Sequence, residues 1–114
     1  MEKPKIVVLS QNEIKDQLAR TPGWVYENNK LTKEFEFNSF MDGLTFIIKL
    51  APFCEAHDHH PDIKINYTKI NFDLQRFDAG GKVTNMDFIV ANQIEKLFDE
   101  YTGNKKIKNY SGIY

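Results

Sequence analysis

An α+β domain, with hairpin-paired strands and helices packed on one face of the sheet, is the fold class this sequence predicts. Three observations predict it. Two stretches, residues 24–37 and 63–74, alternate apolar and polar residues around short turn signals. Three other stretches carry apolar residues at helical spacing behind a hydroxylated capping residue. The order is helix, two strands, helix, two strands, helix, and strands that follow each other in hairpins pair antiparallel.

The elements follow in turn. Ser10 with Glu13 three residues on is a capping-box pattern, and Ile14 and Leu18 form one narrow inward stripe. Thr21, Pro22 and Gly23 stop this helix. Trp24 and Tyr26 precede Asn28-Asn29, a pair that tolerates positive φ and predicts a tight turn; Leu31, Phe35 and Phe37 continue the inward set, with Lys30, Thr32, Glu34 and Glu36 facing solvent. Ser39 caps a second helix that carries two apolar stripes, Phe40, Leu44, Ile47, Ala51 and Phe46, Leu50, Phe53. A helix apolar on two sides is buried on two sides, and the second side is expected to meet another subunit. Pro52 is expected to kink it or begin its last turn. Ile63, Ile65 and Tyr67 share one parity and Ile70, Phe72 and Leu74 the other, which predicts a second hairpin turning at Thr68-Lys69. Thr84 caps a last helix with Phe88, Ala91, Ile94, Leu97, Phe98 and Tyr101 inward, and Gly103 ends it. Residues 1–103 read as one domain and 104–114 as a tail.

The 114 residues suffice for a single core, and 41% apolar with 27% charged residues is an ordinary globular composition. A net charge of −1 points to neither nucleic acid nor membrane. The one cysteine, Cys54, has no internal disulfide partner, no run reaches the length of a membrane span, and the first residues lack a signal-peptide pattern. A cytoplasmic domain is the expectation.

The chemistry concentrates in "EAHDHHPDIKINY", residues 55–67, which holds all 3 histidines of the chain. Imidazoles titrate near neutrality and suit proton transfer. Metal binding is disfavoured, because adjacent histidines do not converge on one ion without a sharp bend and no Cys pair or helical His-x-x-x-His accompanies them. Read from these residues alone, an acid–base pair and a solvated polar loop both remain open.

The ordered set Glu55, His59-His60-Pro61, Tyr67, an aromatic at Phe77 and Asp87 resembles the signature of the pterin-4a-carbinolamine dehydratases, also called 4a-hydroxytetrahydrobiopterin dehydratases or dimerisation cofactors. "LSQNEIKDQL", "PGW", "KEFEFNSFMDGLTFI" and "DFIVANQIEK" extend the likeness over about Leu9 to Phe98. The resemblance implies a four-stranded antiparallel sheet with three helices on one face, dimers or tetramers, and a hydro-lyase acting on 4a-hydroxytetrahydropterin. No metal or organic cofactor is implied, since the pterin is the substrate. His59 and His60 match the family's histidine pair, with His60 expected as acid–base and His59 as binder of the hydroxyl. Glu55 and Asp58 are expected to orient the imidazoles or bind the pterin edge, and Pro61 to shape the pocket. Gln75, Arg76, Phe77 and Asp78 complete the expected substrate-binding set. Asp87 reads as a first-turn carboxylate favoured by the helix dipole, and Tyr67 as core or pocket wall. His57 is an extra imidazole near the pair.

The pattern departs at Phe77, where most active members carry a third histidine, and at Arg76, where threonine is usual. A phenyl ring stacks on a heterocycle but transfers no proton, so weak turnover is expected. The alternative is a non-catalytic protein-binding or assembly member of the same fold, since fold does not fix function.

Overall fold

Side-chain caps decide where the three helices begin. The computed structural model describes residues 5–76 and 80–110, with side chains through residue 103. Ser10 and Glu13 exchange hydrogen bonds, Glu13 N–H to Ser10 Oγ at 3.2 Å and Ser10 N–H to Glu13 Oε1 at 2.8 Å, and α1 (Gln11–Leu18) starts there. Ser39 Oγ accepts from Asp42 N–H at 3.0 Å and opens α2 (Phe40–His57). Thr84 opens α3 (Asn85–Tyr110): its Oγ1 accepts from Met86 N–H at 3.2 Å, and its own N–H donates to Asp87 Oδ2 at 2.8 Å. Helix α3 continues through Gly103, where the sequence predicted its end. Glycine permits a left-handed stop without compelling one, at a cost of about 1 kcal/mol inside a helix.

Between the helices lie β1 (Val25–Glu27), β2 (Lys30–Glu36), β3 (Asp62–Asn66) and β4 (Lys69–Leu74), in one antiparallel sheet ordered β1-β2-β4-β3. The predicted α+β order is therefore the observed one. Asn28 and Asn29 turn the first hairpin at φ 52° and 61°. In the second, Asn66 pairs with Lys69, so Tyr67 and Thr68 form the turn, one residue earlier than expected. Direct pairing of Ile63 with Phe72 and Ile65 with Ile70 sets that register, because paired residues share a face. Tyr67 therefore stands at the hairpin tip with φ 55° and is 75% exposed. It is neither core nor pocket wall.

One face of the sheet carries Leu31 and Phe35 from β2 and Ile70, Phe72 and Leu74 from β4, all buried beneath the helices. Phe35 meets Phe98 of α3 with ring centroids 4.9 Å apart, and Phe37 meets Phe46 of α2 at 5.0 Å. Helix α2 buries Gly43, Phe46, Leu50 and Cys54. Its other apolar side stays open, with Met41 65% and Ile48 69% exposed. Pro52 lies inside this helix and on its exposed surface, and the helix runs on to His57. Edge strand β3 is exposed along its whole length.

Residues 5–9 run alongside the start of α3. Leu9 N–H donates to the Val83 carbonyl at 3.1 Å, Asn85 N–H to the Val7 carbonyl at 3.0 Å, and Asn85 Nδ2 to the Lys5 carbonyl at 2.7 Å, so this segment is tied across the start of α3. Among the described residues, every buried side-chain nitrogen or oxygen has a hydrogen-bond partner, and no helix is long and apolar enough to cross a membrane.

Candidate active site

The site is set by the way α2 ends. Asp58 caps it in the left-handed region, φ 49° and ψ 46°, with its N–H returned to the carbonyls of Cys54 and Glu55. His59 N–H then donates to the Cys54 carbonyl at 3.0 Å, and the chain turns into β3. Neighbouring residues leave such a turn on different sides. His59 goes inward and is 4% exposed, whereas the His60 side chain stays 53% exposed.

Each ring meets its own carboxylate. His59 Nε2–H donates to Asp87 Oδ1 at 2.5 Å. Asp87 is fully buried, and its second oxygen takes the Thr84 N–H. One side chain thus closes the start of α3 and holds the imidazole. The expectation of a purely structural carboxylate covered only the first of these roles. His60 Nε2–H donates to Glu55 Oε2, one helical turn back on α2, in an exposed pair. In both pairs the carboxylate accepts the hydrogen bond from Nε2–H. The result is one dry and one wet imidazole on consecutive residues.

Arg76 lies just beyond β4. Its Nη1 donates to the Asp58 carbonyl at 2.8 Å and sits 3.4 Å from His59 Nδ1. Glu55, Asp58, His59, His60 and Arg76 are thus brought together. Asp58 joins the cluster through its backbone carbonyl. Pro61 follows His60 directly, and half-buried Gln75 lies beside Gly81. Phe77 and Asp78 fall outside the described residues. His57 does not join the pair: its ring stacks on Phe53 at 4.1 Å between centroids, and its Nδ1–H donates to the Phe53 carbonyl at 2.9 Å. Burial pushes the Cys54 thiol up to about 11, which keeps this neighbour protonated.

Among the described residues, no three His, Cys, Asp or Glu side chains are grouped to hold a metal ion. A polar depression of about 380 Å³, lined by Lys30, Lys64, Lys69, Asn71 and Asp73, lies on the open face of the sheet, opposite the helices. It is not part of the histidine cluster.

Residues 7–97 match the family model described as Pterin 4 alpha carbinolamine dehydratase. The chain belongs to this family. A Sulfolobus acidocaldarius protein provisionally named pterin-4-alpha-carbinolamine dehydratase is 42% identical over 89 residues, 78% of this chain and 97% of that one. A Picosynechococcus protein of the same provisional name is 40% identical over 89 residues, 78% of this chain and 96% of that one. Among solved structures, a transcriptional coactivator/pterin dehydratase from Brucella melitensis superposes with a TM-score of 0.75 at 24% identity, covering 80% of this chain and 98% of that one. A pterin dehydratase-like protein described as a RuBisCO assembly factor in the alpha-carboxysome gives a TM-score of 0.52 at 24% identity, over 65% of this chain and 84% of that one. These two share the dehydratase fold with the chain. Missed in the sequence was the contact between Asp87 and His59. The Thr84-x-x-Asp87 spacing signalled a cap, but no local pattern signals a partner 28 positions away.

Proposed function

We propose that this protein is a hydro-lyase that dehydrates 4a-hydroxytetrahydropterin to quinonoid dihydropterin. The observation that carries the reading is the pair of adjacent imidazoles, one buried and one half-exposed, each with Nε2 on a carboxylate. Dehydration breaks the N5–H bond of the pterin, turns its electron pair into the C4a=N5 double bond, and expels the 4a-oxygen, which leaves as water once protonated. The half-exposed His60 suits the proton transfers. Its Nδ1 takes the N5 proton and returns it to the departing oxygen, and its exposure lets it re-equilibrate with solvent. The buried His59, held by Asp87 at Nε2 and faced by Arg76 at Nδ1, suits positioning: it fixes the turn from which His60 departs. The substrate would be the only heterocycle needed, and the site residues themselves supply the acid and base.

The test is stopped-flow loss of the carbinolamine with wild type, His60→Ala and His59→Ala. Removing one positioned acid or base is expected to lower kcat about a hundred-fold. Equal rates for wild type and His60→Ala would remove the catalytic assignment.

A second reading has its own support. The outer side of α2 exposes Met41 and Ile48, and a fold relative is described as an assembly factor. A non-catalytic member would use that side against another chain, whether a second copy or a different protein. Recovery of a stoichiometric partner, together with no turnover of any carbinolamine, would select this reading.

A further inference from the structure

Arg76 is anchored before its side chain begins. Just beyond β4 it forms an isolated antiparallel bridge with Lys82. Its N–H donates to the Lys82 carbonyl at 3.0 Å, and its carbonyl accepts from Gly81 N–H at 3.0 Å. From that fixed backbone, Nη1 spans to the α2–β3 turn, bonding the Asp58 carbonyl at 2.8 Å and approaching His59 Nδ1 to 3.4 Å. A guanidinium has donors and no acceptor. The nitrogen facing it must therefore present a lone pair. On the opposite side of the same ring stands a buried carboxylate, which is an acceptor.

We infer that Arg76 is a positioning residue for His59, locking the ring between a donor and an acceptor in the Nε2–H form with Nδ1 turned toward the end of β4. The same guanidinium holds the carbonyl of the left-handed Asp58, and so fixes the turn from which both imidazoles depart. Remove the donor, and Nδ1 is open to a proton from water. The ring is then free to leave the Nε2–H form, and the turn that carries His60 loses an anchor, which lowers turnover. This last consequence rests on the dehydratase reading. The locking of the ring does not.

Ring-nitrogen NMR on the ¹⁵N-labelled full chain at pH 7 reads the lock directly, with His59→Gln assigning the resonances. Wild type is expected to show one protonated and one lone-pair nitrogen for His59, the latter being Nδ1. Arg76→Met should protonate Nδ1 or average the two forms, and Arg76→Lys should restore the wild-type pattern. A His59 pattern unchanged in Arg76→Met overturns the inference. So does a wild-type ring already protonated at Nδ1, a result that holds even if the methionine variant does not fold. In stopped-flow assays, Arg76→Met should lower kcat about tenfold to a hundredfold and leave KM within about twofold. A wild type without turnover defeats the dehydratase reading, and the NMR result then decides on Arg76 alone.

Discussion

Asp87→Ala tests how much of the domain rests on a single buried carboxylate. The substitution leaves two donors without an acceptor, the Thr84 N–H at the start of α3 and the Nε2–H of His59. Both lie in fully or nearly fully buried residues, with Thr84 0% and His59 4% exposed. An unsatisfied buried donor costs about 1–3 kcal/mol, so the pair costs roughly 2–6 kcal/mol. Against a total stability of about 5–15 kcal/mol, this is a large share, and it corresponds to a fall in Tm on the order of 10–20 °C. Asp87→Asn is the informative companion. Its amide has one acceptor oxygen and one donor nitrogen, so it serves one of the two donors and should lose roughly half as much. To satisfy the amide fully, His59 would move its proton to Nδ1, where it meets Arg76. Urea unfolding at pH 7, with the slope m compared across variants, measures the loss. A cost below about 1 kcal/mol for Asp87→Ala at unchanged m would refute the claim that this carboxylate joins cap and imidazole.

Three further outcomes are expected. Tyr67 holds φ 55° at an exposed hairpin tip, so Tyr67→Gly should stabilise the domain by about 1 kcal/mol in urea melts; a loss would mean the ring has a partner in solution. Cys54 is buried, with its thiol pushed up to about 11, so at pH 8 about one thiol in a thousand is ionised. An aromatic disulfide reagent should therefore label it only after unfolding, and rapid labelling of the native chain would contradict the packing of α2. Burial raises the Asp73 carboxyl, but hydrogen bonds from Thr32, Lys30 and Asn71 outweigh it and hold the group below its ordinary 3.8. A depressed folded value contributes stability above the unfolded value and loses it as pH falls through the folded one. Asp73→Asn should accordingly lower stability at pH 7, where the carboxylate's contribution is fully present, and flatten the further loss below about pH 4.

The features legible in the sequence were those written in neighbouring residues. Ser10 and Glu13, Asn28 and Asn29, and Ser39 each state a local geometry within four positions, and the helices and first turn appear where they indicate. The His59-His60-Pro61 triplet stood out as a candidate site only through the family resemblance, because its residues alone left a solvated loop open. Tyr67 misled because an aromatic on the parity of Ile63 and Ile65 reads as part of the strand; only the pairing with β4 shows the strand already over. Gly103 misled because glycine removes the penalty on a left-handed stop without supplying a reason to stop. The union of His59 with Asp87, and of Arg76 with the Asp58 carbonyl, depends on where α3 and β4 deliver their ends. Those are properties of the packed chain, and spacing along it carries no trace of them.

The tether of residues 5–9 bears on the site as well as on the fold. Four hydrogen bonds join this short stretch to Val83 and Asn85, the latter two residues from the carboxylate that grips His59. The first turn of α3, and with it the hold on His59, is thus braced by chain that lies outside both hairpins.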